Sequence, residues 1–234
     1  MKIAFLGNFR PAHSTESDYL WTMRERLGVE AVALQESEAS GEQVEAAALE
    51  CDAFLWMHTH GWRTPGRPMA AVMQTLRQHG VPSFSYHLDL FMGIRRWREY
   101  ATHDYMKLDH FFTVDKLMAD WLNARTRTKG HFLRAGVVER DCYLSSAPKR
   151  HDVIFVGTYH YHPEWRYRQQ LIDWLKATYG SRFEHWGPQG RGLVRGKELN
   201  DLYASTKVVS GDSLCLNYTY PYYTSDRVYE VLGR

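Results

Sequence analysis

Cysteine is scarce in this chain. Its three cysteines, Cys51, Cys142 and Cys215, are odd in number, widely separated and form no Cys-x-x-Cys pair. That argues against both a disulfide framework and a zinc knuckle, and it suits a reducing compartment. Long apolar runs are missing as well: nothing approaches the roughly 20 residues that a membrane-spanning helix needs. The opening Met1-Lys-Ile-Ala-Phe-Leu-Gly7 is too short for the apolar core of a signal peptide, so a cytoplasmic location is expected. Charge of one sign is also lacking. With 29 basic against 27 acidic side chains the formal charge is +2, too small an excess to imply a nucleic-acid partner by itself. There is no low-complexity tract and no short internal repeat, which leaves an ordinary globular chain. What the chain does have is aromatic residues, 14% of the total. Such a surplus often lines ligand clefts, although core packing accounts equally well for any single ring.

Apolar periodicity then sets the architecture. At 234 residues the chain can form one large or two small domains. Lys2–Gly7, Val29–Leu34, Asp52–Met57, Val81–Tyr86, His110–Val114 and His131–Arg134 read as strands. Helical stretches separate them: one capped by Ser14, then 42–49, 68–79 and 116–123, the third closed by Gly80. Strand–helix alternation of this kind predicts a doubly wound parallel sheet. Ser145-Ser-Ala-Pro-Lys-Arg150 is polar and contains proline, which makes it the best linker candidate. The pattern restarts beyond it, with strands at 152–156, 182–186 and 207–209 and helices at 164–179, 197–204 and from Ser225. The expected organisation is therefore an α/β protein with two Rossmann-like domains, 1–148 and 149–234. With only about three strands, the C-terminal domain reads as incomplete. A unit so small is expected to lean on its neighbour or on another copy of the chain.

The final stretch carries the clearest chemistry. Thr224-Ser-Asp-Arg-Val-Tyr-Glu230 opens a helix after a short strand-like run. A helix start offers unsatisfied N–H groups and a positive dipole end to a phosphate. A carboxylate one turn in, here Glu230, can accept the two hydroxyls of a ribose. These features together point to a phosphorylated, ribose-bearing ligand. A solvated helix face is the plainer reading of each residue taken alone.

From residue 151 onward the chain resembles the CgeB-type glycosyltransferases, relatives of the "group 1" transferases with the GT-B fold. The stretches that carry the likeness are Asp152-Val-Ile-Phe-Val-Gly157, Arg166 in the next helix, His185-Trp-Gly187, Tyr203-Ala-Ser-Thr-Lys207 and Ser225-Asp-Arg-Val-Tyr-Glu-Val-Leu-Gly233. The opening Ile3-Ala-Phe-Leu-Gly-Asn-Phe9, with His13-Ser-Thr-Glu16, is similar to the start of such proteins. The resemblance implies two Rossmann-like domains facing a cleft, the C-terminal one holding a UDP-, GDP- or dTDP-linked sugar and the N-terminal one a hydroxyl acceptor. It implies no cofactor and no metal in the site. Arg166, Lys207 and Arg227, with the backbone at Thr224-Ser225, are then expected to neutralise the departing diphosphate. Gly157, Ser225 and Asp226 would complete the donor site, with Trp186 and Gly187 beside the base. Many relatives carry a glutamate eight residues before the ribose-binding one, where this chain has Tyr222; either Tyr222 takes over part of that role or the contact is absent. A nucleotide- or sugar-binding relative that has lost turnover is the alternative function.

Ligands of doubly wound sheets bind beyond the carboxyl ends of the strands. This nominates Asn8, His13, Glu16, His58, His60, His87 and Asp89 for the acceptor. His87, Asp89 and His13 are the candidates for orienting or deprotonating its hydroxyl, since imidazole titrates near neutrality. His58-x-His60 and His160-x-His162 have the spacing of a metal pair on a strand. No acidic or cysteine cluster completes a coordination sphere, and a metal is not expected. Arg95-Arg96-Trp-Arg98, and Arg125, Arg127 and Lys129 with Arg134, interleave basic and aromatic residues. They keep a hydroxylated DNA base among the expected acceptors, beside sugars and metabolites.

Overall fold

The computed structural model describes residues 1–59, 61–90, 103–143, 145–160, 167–212 and 224–233. The chain divides into two compact units, Met1–Arg134 and Ala135–Arg234.

Unit 1 contains six parallel strands: β1 (Lys2–Gly7), β2 (Glu30–Gln35), β3 (Ala53–Trp56), β4 (Ser83–His87), β5 (His110–Thr113) and β6 (Lys129–Phe132), in the spatial order β2-β1-β3-β4-β5-β6. Its helices are α1 (Thr15–Glu25), α2 (Gly41–Leu49), α3 (Met69–Gln78) and α4 (Lys116–Arg125), with a 3₁₀ turn at Asp104–Lys107. Three of these helices start on side-chain caps, as short polar residues ahead of an apolar stripe should produce. Ser14 accepts from Ser17 N–H at 3.0 Å and Asp115 from Met118 N–H at 3.1 Å. Ser40 and Gln43 form a reciprocal capping box. The pleat sends Phe54 and Trp56 of β3 and Phe111 of β5 to one face, where they join Val44, Val72, Leu76, Met118 and Leu122 from α2, α3 and α4 in the main core. On the opposite face Tyr86 of β4 meets Tyr19 of α1 edge-on at 5.6 Å. Helices on both faces make this a doubly wound, Rossmann-like sheet.

Unit 2 has a smaller parallel sheet of β7 (His151–Val156), β8 (Phe183–Trp186) and β9 (Thr206–Ser210), in the order β8-β7-β9. Its helices are α5 (Tyr167–Tyr179), α6 (Gly196–Ala204) and α7 (Asp226–Gly233). The central strand β7 alternates cleanly. Val153 and Phe155 pack with Ile172, Leu175 and Phe183 on the α5 side; Ile154 and Val156 pack with Leu199, Leu202 and Tyr203 on the α6 side. A strand buried on both faces reads as a continuous apolar run, which is why Val153-Ile-Phe-Val156 looks the way it does. Among the described residues, no helix is long and apolar enough to cross a membrane.

Two expectations shift. Strand β6 begins at Lys129 rather than His131, because His110 and Phe111 of β5 pair with Lys129 and Gly130. The division between the units falls at Arg134, ahead of the polar stretch 145–150. That stretch belongs to unit 2: Lys149 Nζ donates to the carbonyls of Ala204 and Thr206 at 2.7 and 2.9 Å, and Arg150 N–H to Ser205 O at 2.8 Å. An ammonium at the open carbonyls of a helix C-terminus is a favourable placement, so this segment's polarity serves a dock rather than a linker.

Gly187 supplies a test of how the β7 and β8 ends are joined. Its φ is +150°, and a Cβ there would fall 2.1 Å from the carbonyl oxygen of Gly157. Gly187→Ala is therefore expected to destabilise unit 2 by about 2–3 kcal/mol, a backbone-strain cost. Gly180→Ala meets no neighbour within 4 Å and should cost less, about 1–2 kcal/mol for its left-handed φ alone. Urea denaturation of the two variants checks the difference.

Candidate functional site

Both sheets have a topological switch point, where the chain leaves a central strand to one side and returns on the other. Such points open a crevice beyond the carboxyl ends of the strands. In unit 2 the crevice lies between β7 and β9, and charge gathers there. Arg168, on the first turn of α5, is buried among apolar residues. Its Nε donates to Asp212 Oδ2 at 2.9 Å and to Oδ1 at 3.1 Å, with side-chain exposures of 6% and 0% for the pair. Arg227, on the first turn of α7, donates from Nη1 to the Val156 carbonyl. Both guanidinium groups lie over the Phe155 ring, at 5.8 Å for Arg168 and 5.2 Å for Arg227. Gly211 makes room for Arg227, since a Cβ there would meet its Cδ at 2.7 Å. Asp212 neutralises Arg168, so this group of three side chains retains the charge of Arg227.

The other donor-side expectations divide. Gly157 and Gly187 sit at this end of the sheet, joined by a 2.8 Å hydrogen bond from Gly157 N–H to Trp186 O. His185 Nε2 binds Gly157 O at 2.8 Å and fastens the same corner. Ser225 and Asp226 precede and open α7, with Asp226 Oδ1 accepting from Arg227 N–H at 2.8 Å. Glu230 lies half-buried one turn further on. Lys207 does not join them. It is the second residue of β9, at the amino end of the sheet, and its Nζ holds Asp152 Oδ1 at 2.6 Å. That hydrogen bond keeps the Asp152 carboxyl below the usual range. Trp186 is also turned elsewhere: its indole approaches His151 at 6.4 Å and lines a cavity of about 510 Å³ with Arg150, Leu202 and Ser205, away from Arg227. Arg166 and Tyr222 lie outside the described residues.

In unit 1 the crevice lies between β1 and β3, and its centre is a residue that no sequence pattern singles out. Glu36, just beyond β2, is fully buried. It accepts from Trp56 Nε1 at 2.8 Å, from Thr59 N–H at 2.8 Å and from His58 Nδ1. A buried carboxylate with three donors is well satisfied, and it locks the loop after β3 to the end of β2. The His58 ring stacks on His103 at 4.6 Å. Burial first, and then the neighbouring His58, lower the His103 pKa. Glu16 approaches Gly7 closely and is mostly enclosed. Burial raises its pKa, hydrogen bonds from its own backbone, Asn8 and Ser14 partly reverse this, and the charge of Glu36 adds to the rise. Titratable groups with shifted ionisation thus collect at this switch point, which makes it a candidate site.

The remaining acceptor-side candidates are scattered. Asn8 is half-buried beside Gln35, at 3.4 Å. His13 is exposed in the turn before α1. His87 is buried against Tyr105 and Phe111, each 6.2 Å away, because the pleat directs it into the main core. Asp89 is half-buried beyond β4. His60 and the Arg95-Arg96-Trp97-Arg98 cluster lie outside the described residues. Arg125, Arg127 and Lys129 are exposed, but at the amino end of β6, remote from the crevice. Among the described residues no three His, Cys, Asp or Glu side chains form a group able to hold a metal.

Of the residues that sequence patterns do not nominate, some still carry a signal. Arg168, Ile172 and Leu175 are the buried residues of α5: a charged residue occupies an i, i+4, i+7 apolar stripe, which demands a buried partner. Glu36 directly follows a strand. Asp212 carries no readable mark.

A titration tests the environment of Glu16. A carboxyl with a raised folded-state pKa is held protonated more tightly in the folded than in the unfolded chain. Its stabilising contribution is complete below the ordinary glutamate pKa and is lost as pH rises through the folded value. Glu16→Gln, which cannot ionise, should therefore melt higher than the parent at pH 7–8, and the gain should vanish below about pH 4. Thermal melts across that range check the sign.

No family model matches the chain, and no curated protein matches it. Solved structures with some likeness include apo D-lactate dehydrogenase from Escherichia coli, at 13% identity over 91% of this chain and 65% of that one, TM-score 0.30. D-2-hydroxyisocaproate dehydrogenase is another, at 14% identity over 89% of this chain and 61% of that one, TM-score 0.29. The chain thus spans somewhat less than two thirds of each of these proteins.

Proposed function

We propose that this chain is a glycosyltransferase of GT-B type that moves a sugar from a nucleoside diphosphate to a hydroxyl acceptor, with unit 2 as the donor half and unit 1 as the acceptor half. The observation that carries the donor assignment is Arg227. Its guanidinium stands over the ends of β7 and β9, beside the start of α7, with its position secured by Phe155, Gly211 and the Val156 carbonyl. When the bond from the anomeric carbon to the diphosphate breaks, negative charge grows on the leaving phosphate. A preorganised cation and the N–H groups of a helix start lower that barrier without added metal. Arg168 supports the arrangement from below and is spent on Asp212. In this reading Glu230 accepts the ribose hydroxyls.

A competing reading, nucleotide binding without turnover, gains from one observation: Lys207, counted on for the diphosphate, is engaged with Asp152 at the other end of the sheet. Donor consumption separates the two readings, since a pure binding protein releases no diphosphate with any acceptor.

Calorimetry with UDP, GDP and dTDP in excess chelator is expected to show binding of at least one of them, and Arg227→Ala to weaken it by about 10- to 100-fold, the loss of a charge-assisted contact of about 1.5–3 kcal/mol. Absence of binding by all three would overturn the donor assignment.

Glu230→Ala should weaken the same nucleotide by a similar factor while the variant keeps its fold by circular dichroism. An unaltered Kd would make Glu230 an ordinary helix-surface residue.

A further inference from the structure

Unit 1 contains a cavity of about 310 Å³ at the carboxyl end of its sheet. Its walls come from the end of β3 (Trp56), the loop beyond it (Trp62, Arg63, Thr64), and the start of the 3₁₀ turn (His103, Asp104). That volume is at the small end of ligand pockets, which run from roughly 300 to 1,000 Å³, and suits one hexose-sized ring.

The chemistry of the walls is specific. Trp56 is held rigidly, its Nε1 donating to buried Glu36 at 2.8 Å and its ring edge-on to Tyr105 at 5.3 Å. Trp62 adds another indole from the loop. Indole faces take the apolar C–H face of a ring and leave its rim to polar groups. Those groups are present. Asp104 accepts from Ala70 N–H at 3.1 Å and from Lys107 Nζ at 2.8 Å, which fixes a carboxylate that has lone pairs to spare. His103 Nδ1 accepts from Tyr105 N–H at 3.2 Å, so in the neutral ring the proton is on Nε2, a donor. Burial and the adjacent His58 favour that neutral form. Among the described residues Thr64 Oγ1 is buried without a hydrogen-bond partner, a rare condition for a hydroxyl in a folded protein. Lys107 holds the Asp104 carboxylate in an ion pair at 2.8 Å, and Arg63 adds a cationic edge to the lining.

We infer that this cavity binds a neutral pyranose, packed against the Trp62 indole above a floor that includes the edge of the buried Trp56, with its hydroxyls on Asp104, His103 and Thr64. The ring's role as acceptor rests on the glycosyltransferase reading; its binding does not.

Saturation-transfer NMR on the full chain with methyl glucopyranoside, galactopyranoside and mannopyranoside tests this. At least one probe should give a saturable signal, with Kd of about 1–10 mM, as befits a single ring with few anchoring groups. Trp62→Ala and Asp104→Asn, both checked for folding by circular dichroism, should each weaken it about 10-fold, and UDP should not displace it. No saturable signal from any probe, undiminished binding by folded Trp62→Ala, or displacement by UDP would overturn the inference. Calorimetry with the nucleoside diphosphates on the same sample separates the two ideas. Sugar binding without nucleotide binding sinks the donor assignment and leaves the cavity standing; nucleotide binding without sugar binding sinks the cavity alone.

Discussion

The buried ion pair between Arg168 and Asp212 is the interaction on which unit 2 depends. Taking two charges out of water is expensive, and their mutual attraction repays it only with good geometry and further hydrogen bonds. Here both carboxylate oxygens receive the Arg168 Nε–H, and the guanidinium lies on the Phe155 ring. The pair ties the start of α5 to the chain just beyond β9, across the end of β7. With Arg168 neutralised, Arg227 can occupy the same aromatic surface without facing an uncompensated like charge. Had Asp212 been apolar, two guanidinium groups would share one ring with nothing between them. The cationic character of the site is thus set by how many charges the fold cancels as much as by how many it supplies.

Unit 1 solves a related problem with a single carboxylate. Glu36 is fully buried, and three donors from the end of β3 and its loop satisfy its carboxylate. The consequence is geometric. Trp56, His58 and Thr59 are fastened to one point, and the loop that follows inherits its position from them. The Trp56 indole can form a cavity wall because its nitrogen is already engaged. Glu16 and His103 feel the same enclosure in their ionisation, one raised and the other lowered, by burial in both cases. Desolvation acts against whichever form carries charge, so an acid and a base move in opposite directions.

Two expectations fail because position along a strand does not reveal direction, and a third fails on position itself. His87 ends β4 where a ligand crevice should begin, yet the two-residue pleat sends its ring into the core beside Phe111. Trp186 ends β8 beside Gly187, but its indole lies back toward His151. Lys207 is the second residue of β9, so it belongs to the amino end of the sheet, where its ammonium meets Asp152. Each is nominated by its neighbours in sequence, and each is governed by neighbours in space.

The elements and their order are legible in local patterning. Apolar runs of period two, helical stripes between them and short polar caps such as Ser14, Ser40 and Asp115 are local properties, and local physics reads them. The parallel, Rossmann-like character of both units follows from that alternation, whereas the Gly157, Ser225 and Arg227 region is nominated by the helix start and by the family resemblance. Arg168 was legible in principle, as a charge on an apolar stripe. Pairing is another matter, settled in three dimensions. Glu36 with Trp56 and His58, Arg168 with Asp212, and Lys207 with Asp152 are joined across 20 or more residues of sequence. No periodicity encodes such partners, because the energy that selects them arises only when folding removes water and leaves each buried charge to whichever group the packing has brought near.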